Sequence, residues 1–171
     1  LPDRGAPVSK AVITRIMIRK ILLGLAAVFV ALQFVRPAKN LSPAPGPDAI
    51  TAKVAVPPDV EQVLTKACYD CHSDHTRYPW YAEVQPVGWW LASHIKEGKQ
   101  HLNLSEFGTY NKKTANRKLQ QIARTINSRF MPLNSYTWIH RDAILTDAEI
   151  KRITAWTDAA REQIEAKPPA K

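Results

Sequence analysis

The sequence predicts an all-α domain behind an apolar N-terminal helix. Three observations carry this reading. Apolar residues recur at helical spacing in four separate stretches after residue 58, no segment alternates apolar and polar residues as a half-buried strand does, and a capping-box sequence opens the last stretch. A chain of 171 residues is about one domain with length to spare, and 45% hydrophobic content excludes wholesale disorder. Two cysteines exclude a disulfide-stapled miniprotein, and also a four-thiolate zinc or iron–sulfur site built by this chain alone.

The formal charge of +9 invites a nucleic-acid reading until it is located. Residues 1–40 carry a net +6 and the rest only +3, so the excess surrounds one apolar run, Ile21 to Val35. Basic residues flanking such a run are a membrane-targeting pattern, which predicts a signal anchor or transmembrane helix over 17–36. Lys20 and Arg36 could snorkel to lengthen a run that is itself short for a bilayer. A removable signal peptide is the alternative, but Ser42-Pro43-Ala44 is followed by Pro45 and makes a poor cleavage site. Either way the expectation is an exported domain: an inner-membrane protein with the domain in the periplasm, or a secreted periplasmic one. Met17-Ile18-Arg19-Lys20 reads as a natural start, which makes 1–16 an upstream or non-native segment. From 37 to 58 prolines and a lack of periodicity predict an extended linker.

The expected globular domain runs over 59–165, with a disordered tail at 166–171. Asp59 is placed to cap a first helix whose Val60, Val63, Leu64 and Ala67 share one face. A second helix starts near Pro86 and runs through Trp89, Trp90, Leu91 and Ile95. A third carries Leu119, Ile122, Ala123 and Ile126. The fourth opens on Thr146-Asp147-Ala148-Glu149 and turns Ile150, Ile153, Thr157, Ala160 and Ile164 inward, with Trp156 alongside.

Both cysteines lie in Cys68-Tyr69-Asp70-Cys71-His72, at the end of the first helix. On a continuing helix, positions 68, 71 and 72 put two thiols and an imidazole on one face. That geometry suits c-type haem, whose two vinyl groups take the thiols while the adjacent imidazole reaches the iron. A zinc site would need a fourth ligand, and His75 would crowd it. A thioredoxin-like pair is expected beside a βαβ pattern, which is missing, and a plain disulfide leaves His72 unexplained. Candidates for a sixth ligand are Met131, His75, His94, His101 and His140. Met131 is favoured because it stands past the third helix's apolar face, beside Pro132, which fixes the backbone. Methionine opposite histidine raises the reduction potential and fills the coordination sphere, favouring electron transfer.

These residues resemble a single-haem class I cytochrome c: the motif, Met131-Pro132 downstream, and a final helix from Leu145 to Ile150 onward. More closely, CYDCHSDHTRYPWY (68–81), QPVGWWLASHIKEGKQHLNLSEFGTY (85–110) and MPLNSYTWIHRDAILTDAEI (131–150) are similar to the bacterial haem-binding domain family, whose members commonly follow an N-terminal apolar segment. The resemblance implies a cytochrome c-like fold around one covalent haem c, with thioethers at Cys68 and Cys71, proximal ligation by His72 and distal ligation by Met131. Tyr78, Trp80, Tyr81, Trp89 and Trp90 are then candidates to wall the pocket, and Arg77 to meet a propionate.

The function expected is single-electron transfer between redox partner proteins on the periplasmic face of the membrane, with an electron carrier rather than a catalyst. A haem enzyme or a gas- or peroxide-binding sensor with an open or labile distal site is the first alternative. A non-haem CxxC thiol redox protein is the second. Two haem propionates would offset much of the remaining +3, so the charge makes no case for nucleic acid.

Overall fold

The computed structural model describes residues 10–43 and 45–166. The first nine residues of the expected 1–16 segment, and the expected tail beyond Ala166, lie outside them. The described secondary structure is helical apart from one isolated antiparallel bridge between Leu41 and His75. Eight helices follow in order: α1 Lys10–Leu32, α2 Ile50–Lys53, α3 Pro58–Ala67, α4 Tyr69–His72, α5 Val87–His101, α6 Lys112–Asn127, α7 Asn134–Thr137 and α8 Asp147–Ala166. Short 3-10 turns at Trp80–Glu83, Phe107–Thr109 and Arg141–Ala143 join some of them.

The chain divides into two compact units. One holds α1 up to Pro37 together with Pro79–Leu91; the other holds Ala38–Tyr78 and the chain from Ala92 onward. In the first, the end of α1 is tied to the 83–89 segment. Gln33 Oε1 accepts from the Gln85 amide at 2.8 Å, the Trp89 indole donates to the Val35 carbonyl at 2.7 Å, and Arg36 pairs with Glu83.

α1 corrects the membrane expectation. Among the described residues no helix is long and apolar enough to cross a membrane. Arg15, Arg19 and Lys20 interrupt α1, and its uninterrupted apolar part, Ile21 to Leu32, is about 18 Å long at ~1.5 Å per residue against a hydrocarbon core of ~30 Å. The transmembrane helix, the membrane as a partner, and the inner-membrane and periplasmic location that rested on it are withdrawn. Nothing among the described residues identifies redox partner proteins, and that expectation goes with them.

The second unit carries the core. α6 and α8 pack along their length, joined by α3, and Val60, Val63 and Leu64 meet Leu119, Ile122, Ile126, Ile150, Ile153 and Trp156. The capping box forms as its sequence requires: Thr146 N donates to Glu149 Oε2 at 2.9 Å and Glu149 N to Thr146 Oγ1 at 3.2 Å. Asp59 does not cap α3; the helix starts at Pro58, whose fixed φ suits a first helical position, and Asp59 in the first turn pairs with Arg152 of α8 at 2.8 Å. The stretch 37–58 is not a bare linker. Ala49, Ile50 and Val54 are buried in the core, and the Ile50 amide donates to the Leu104 carbonyl at 2.8 Å.

α6 is capped by Asn111, whose side chain accepts from the Thr114 amide at 2.9 Å. Asn111→Ala is expected to cost about 1 kcal/mol, read as a fall of roughly 2–4 °C in Tm by circular dichroism.

Candidate cofactor cleft

α3 gives way to α4 at Cys68, where φ −127° and ψ −49° depart from helical values. The helical pairing survives the kink: Cys71 N and His72 N both donate to the Cys68 carbonyl, at 3.2 and 2.9 Å. Thiols and imidazole therefore keep the i, i+3, i+4 relation and open on one cleft of about 540 Å³, within the range of small-molecule and cofactor sites. Its wall includes Cys68, Cys71, His72, His94, Gly98, His101, Leu102, Lys118, Ile122, Met131, Leu133 and Tyr136.

His72 is held on three sides. Its amide bonds to Cys68, its carbonyl accepts from the Leu104 amide at 2.7 Å, and its Nδ1 lies 3.0 Å from the Leu102 carbonyl. A carbonyl cannot donate, so Nδ1 carries the hydrogen and Nε2 keeps its lone pair. Burial pushes the imidazole's proton affinity down, against the opposing pull of the Leu102 and Gly98 carbonyls. A neutral ring with its second nitrogen anchored on a carbonyl is the arrangement that metal-ligating histidines use.

The two cysteines are not disulfide-bonded. Burial first, then Cys71, pushes the Cys68 thiol up to about 12. Cys71 is pushed up to about 11 by burial and then by Asp70. Reactive thiol pairs have lowered values, and both of these thiols are shifted the other way. Among the described residues no three His, Cys, Asp or Glu side chains gather as a site for a bare metal ion.

α5 comes close to this turn because residue 98 is glycine. A Cβ there would lie 2.6 Å from the Cys71 carbonyl oxygen, a backbone atom that cannot swing aside. Close approach places Leu102, one turn on, where its carbonyl meets His72. On the other wall Met131 follows the end of α6. Arg129 takes φ 55°, the left-handed conformation that ends helices, and the Phe130 and Met131 amides both return to the Thr125 carbonyl, at 3.0 and 3.2 Å. Met131 packs partly buried against the core.

The structure thus brings Cys68, Cys71, His72 and Met131 to one cleft, which His94 and His101 of α5 also line. His75 and His140 lie elsewhere: His75 Nδ1 meets the Ser42 carbonyl at 2.9 Å, and His140 stacks on Tyr136 with ring centroids 4.2 Å apart. Arg77 turns to Asp70, its Nε and Nη2 donating to the two carboxylate oxygens at 3.1 and 3.0 Å, and to the Thr65 carbonyl at 2.8 Å. Among the described residues, Lys118 is the lysine or arginine that lines the cleft. Tyr78 lines a separate depression with Lys39 and Asn40. Trp80, Tyr81, Trp89 and Trp90 belong to the first unit, where Trp80 is 80% exposed and meets Tyr81 edge-on.

Sequence reasoning missed Gly98, the Leu102 carbonyl, Asp70, Lys118 and Tyr136. One signal was available: a glycine inside a helix costs ~1 kcal/mol relative to alanine, and a close backbone approach is a usual reason for it.

Two thiols, an anchored neutral imidazole and a thioether around one largely apolar cleft fit a haem in donor type. Fold and cleft define an all-helical, cytochrome-c-like bundle. The haem-binding domain family matches residues 27–159, and the chain belongs to it. No curated protein and no solved structure matches the chain.

Proposed function

We propose that this domain carries one haem c and works by one-electron redox cycling. Cys68 and Cys71 hold the porphyrin edge as thioethers, His72 Nε2 is the proximal ligand and Met131 the distal one. The observation that supports this best is the convergence of all four side chains on one cleft from two separate parts of the chain. The iron supplies the redox chemistry; the chain supplies attachment, ligand geometry and exclusion of water. The Leu102 carbonyl fixes the His72 tautomer, and the apolar wall of Ile122, Leu133 and Met131 keeps the site dry. A filled coordination sphere with a thioether opposite an imidazole favours electron transfer over ligand chemistry.

The presence of His94 and His101 among the residues that line the cleft supports a second reading, in which the distal position is labile or held by histidine and admits a small ligand. Visible spectroscopy of protein matured with the haem attachment machinery separates the two. The first expects a low-spin spectrum, the weak long-wavelength ferric band of methionine ligation, no shift with CO, and loss of that band in Met131→Ala. A high-spin spectrum, or a Met131→Ala spectrum identical to the parent's, refutes methionine ligation; a His94→Ala or His101→Ala variant that alone changes the spin state supports the second.

A further inference from the structure

Met131 sits on a short strap between α6 and α7, and the strap is tied down at both ends. On the α6 side the Phe130 and Met131 amides share the Thr125 carbonyl. On the α7 side the Tyr136 and Thr137 amides close on the Leu133 carbonyl at 2.9 and 3.1 Å. Tyr136 then reaches back: its hydroxyl donates to Asp70 Oδ2 at 2.8 Å. Asp70 is one of the two residues between the cysteines, so this bond joins the Met131 strap directly to the haem-attachment turn across the cleft.

Asp70 is a fixed post. Its carboxylate is buried, Oδ1 accepts from the Arg77 amide and Nε at 3.0 and 3.1 Å, and Oδ2 accepts from Arg77 Nη2 as well as from Tyr136. Its carbonyl accepts from Thr76 Oγ1 at 2.7 Å. Tyr136 is carried by the four-residue α7 and stacks on His140 just beyond it.

We propose that the Tyr136–Asp70 hydrogen bond is a latch that holds Met131 in its distal place, making Tyr136 a positioning residue that sets how readily an added ligand displaces the methionine. The inference rests on the axial reading of His72 and Met131. A hydrogen bond to a carboxylate is among the stronger kinds, and its loss frees one end of the strap while the ring still packs.

The test is imidazole titration of the ferric, haem-loaded protein, compared among the parent, Tyr136→Phe, Met131→Ala and the double variant. Tyr136→Phe is expected to bind imidazole about tenfold more tightly, equivalent to about 1.4 kcal/mol, and to weaken the long-wavelength band. Met131→Ala is expected to bind imidazole tighter still, and adding Tyr136→Phe to it is expected to change nothing, because the latch then has no ligand to hold. Parent-like affinity in Tyr136→Phe beside tighter binding in Met131→Ala overturns the latch and leaves the axial reading standing. A lower Tm without a change in affinity does the same, since that is a structural role only. Met131→Ala with parent-like affinity overturns the axial reading and the latch together.

Discussion

A Cys68→Ala/Cys71→Ala variant is expected to lose all covalently bound haem. Haem taken up by it is removed by acidified acetone, whereas the parent keeps its colour in the protein fraction. The two sulfurs are the only cysteines in the chain, so no other thiol can substitute. Each single variant keeps one thioether and is expected to retain haem at reduced yield, because His72 and the cleft still position the ring. The fold itself is expected to survive: Cys68 packs only partly buried against the core, Cys71 lies outside it, and α6 and α8 pack on each other through other residues. Acid-stable haem in the double variant would mean that attachment runs through another residue.

The second large effect is expected from Gly98→Val. A Cβ at this position meets the Cys71 carbonyl oxygen at 2.6 Å and the Cys71 carbonyl carbon and Cβ at 3.3 Å, so relief requires α5 to move away from α4. Overpacking of this kind costs typically ~1–3 kcal/mol, and a β-branched side chain against backbone belongs at the upper end, about 3 kcal/mol. At roughly 2–4 °C per kcal/mol this lowers Tm by about 6–12 °C. The shift also draws Leu102 off His72, so imidazole orientation and haem yield fall with stability. A thermal melt within 1 °C or so of the parent's, with normal haem content, would show that α5 and the haem-attachment turn are not held as closely as the geometry has them.

What could be read in the sequence was whatever its chemistry places close together in the chain. The Cys68–His72 motif is legible because its two thiols and imidazole lie within about one helical turn, and α6 and α8 because a buried helix face repeats at 3.6 residues. The Thr146–Glu149 box is legible because both halves lie within one turn. Partners distant in sequence leave no such mark. Asp70 and Tyr136 are 66 residues apart, and the group that fixes His72 is a backbone carbonyl 30 residues away, which every residue possesses.

Two misreadings have physical causes of their own. The proline-rich stretch before α3 has little periodicity, yet Ile50 and Val54 give it enough apolar surface to be buried. The N-terminal run has the flanking charge of a membrane segment without the apolar length, because Arg19 and Lys20 stand inside α1 rather than beyond its end. The Arg77 side chain, a propionate candidate on the resemblance, pairs with Asp70 seven residues before it.

The proposed covalent link is tested most directly on the peptide that would bear it. Trypsin cuts after Lys66 and Arg77, releasing residues 67–77 with both cysteines and His72. From protein matured with the haem attachment machinery, mass spectrometry is expected to find this peptide heavier by one haem, with neither cysteine available to an alkylating reagent. A peptide of unmodified mass that alkylates at both thiols, or one whose only change is the loss of two hydrogens to a disulfide, would contradict it.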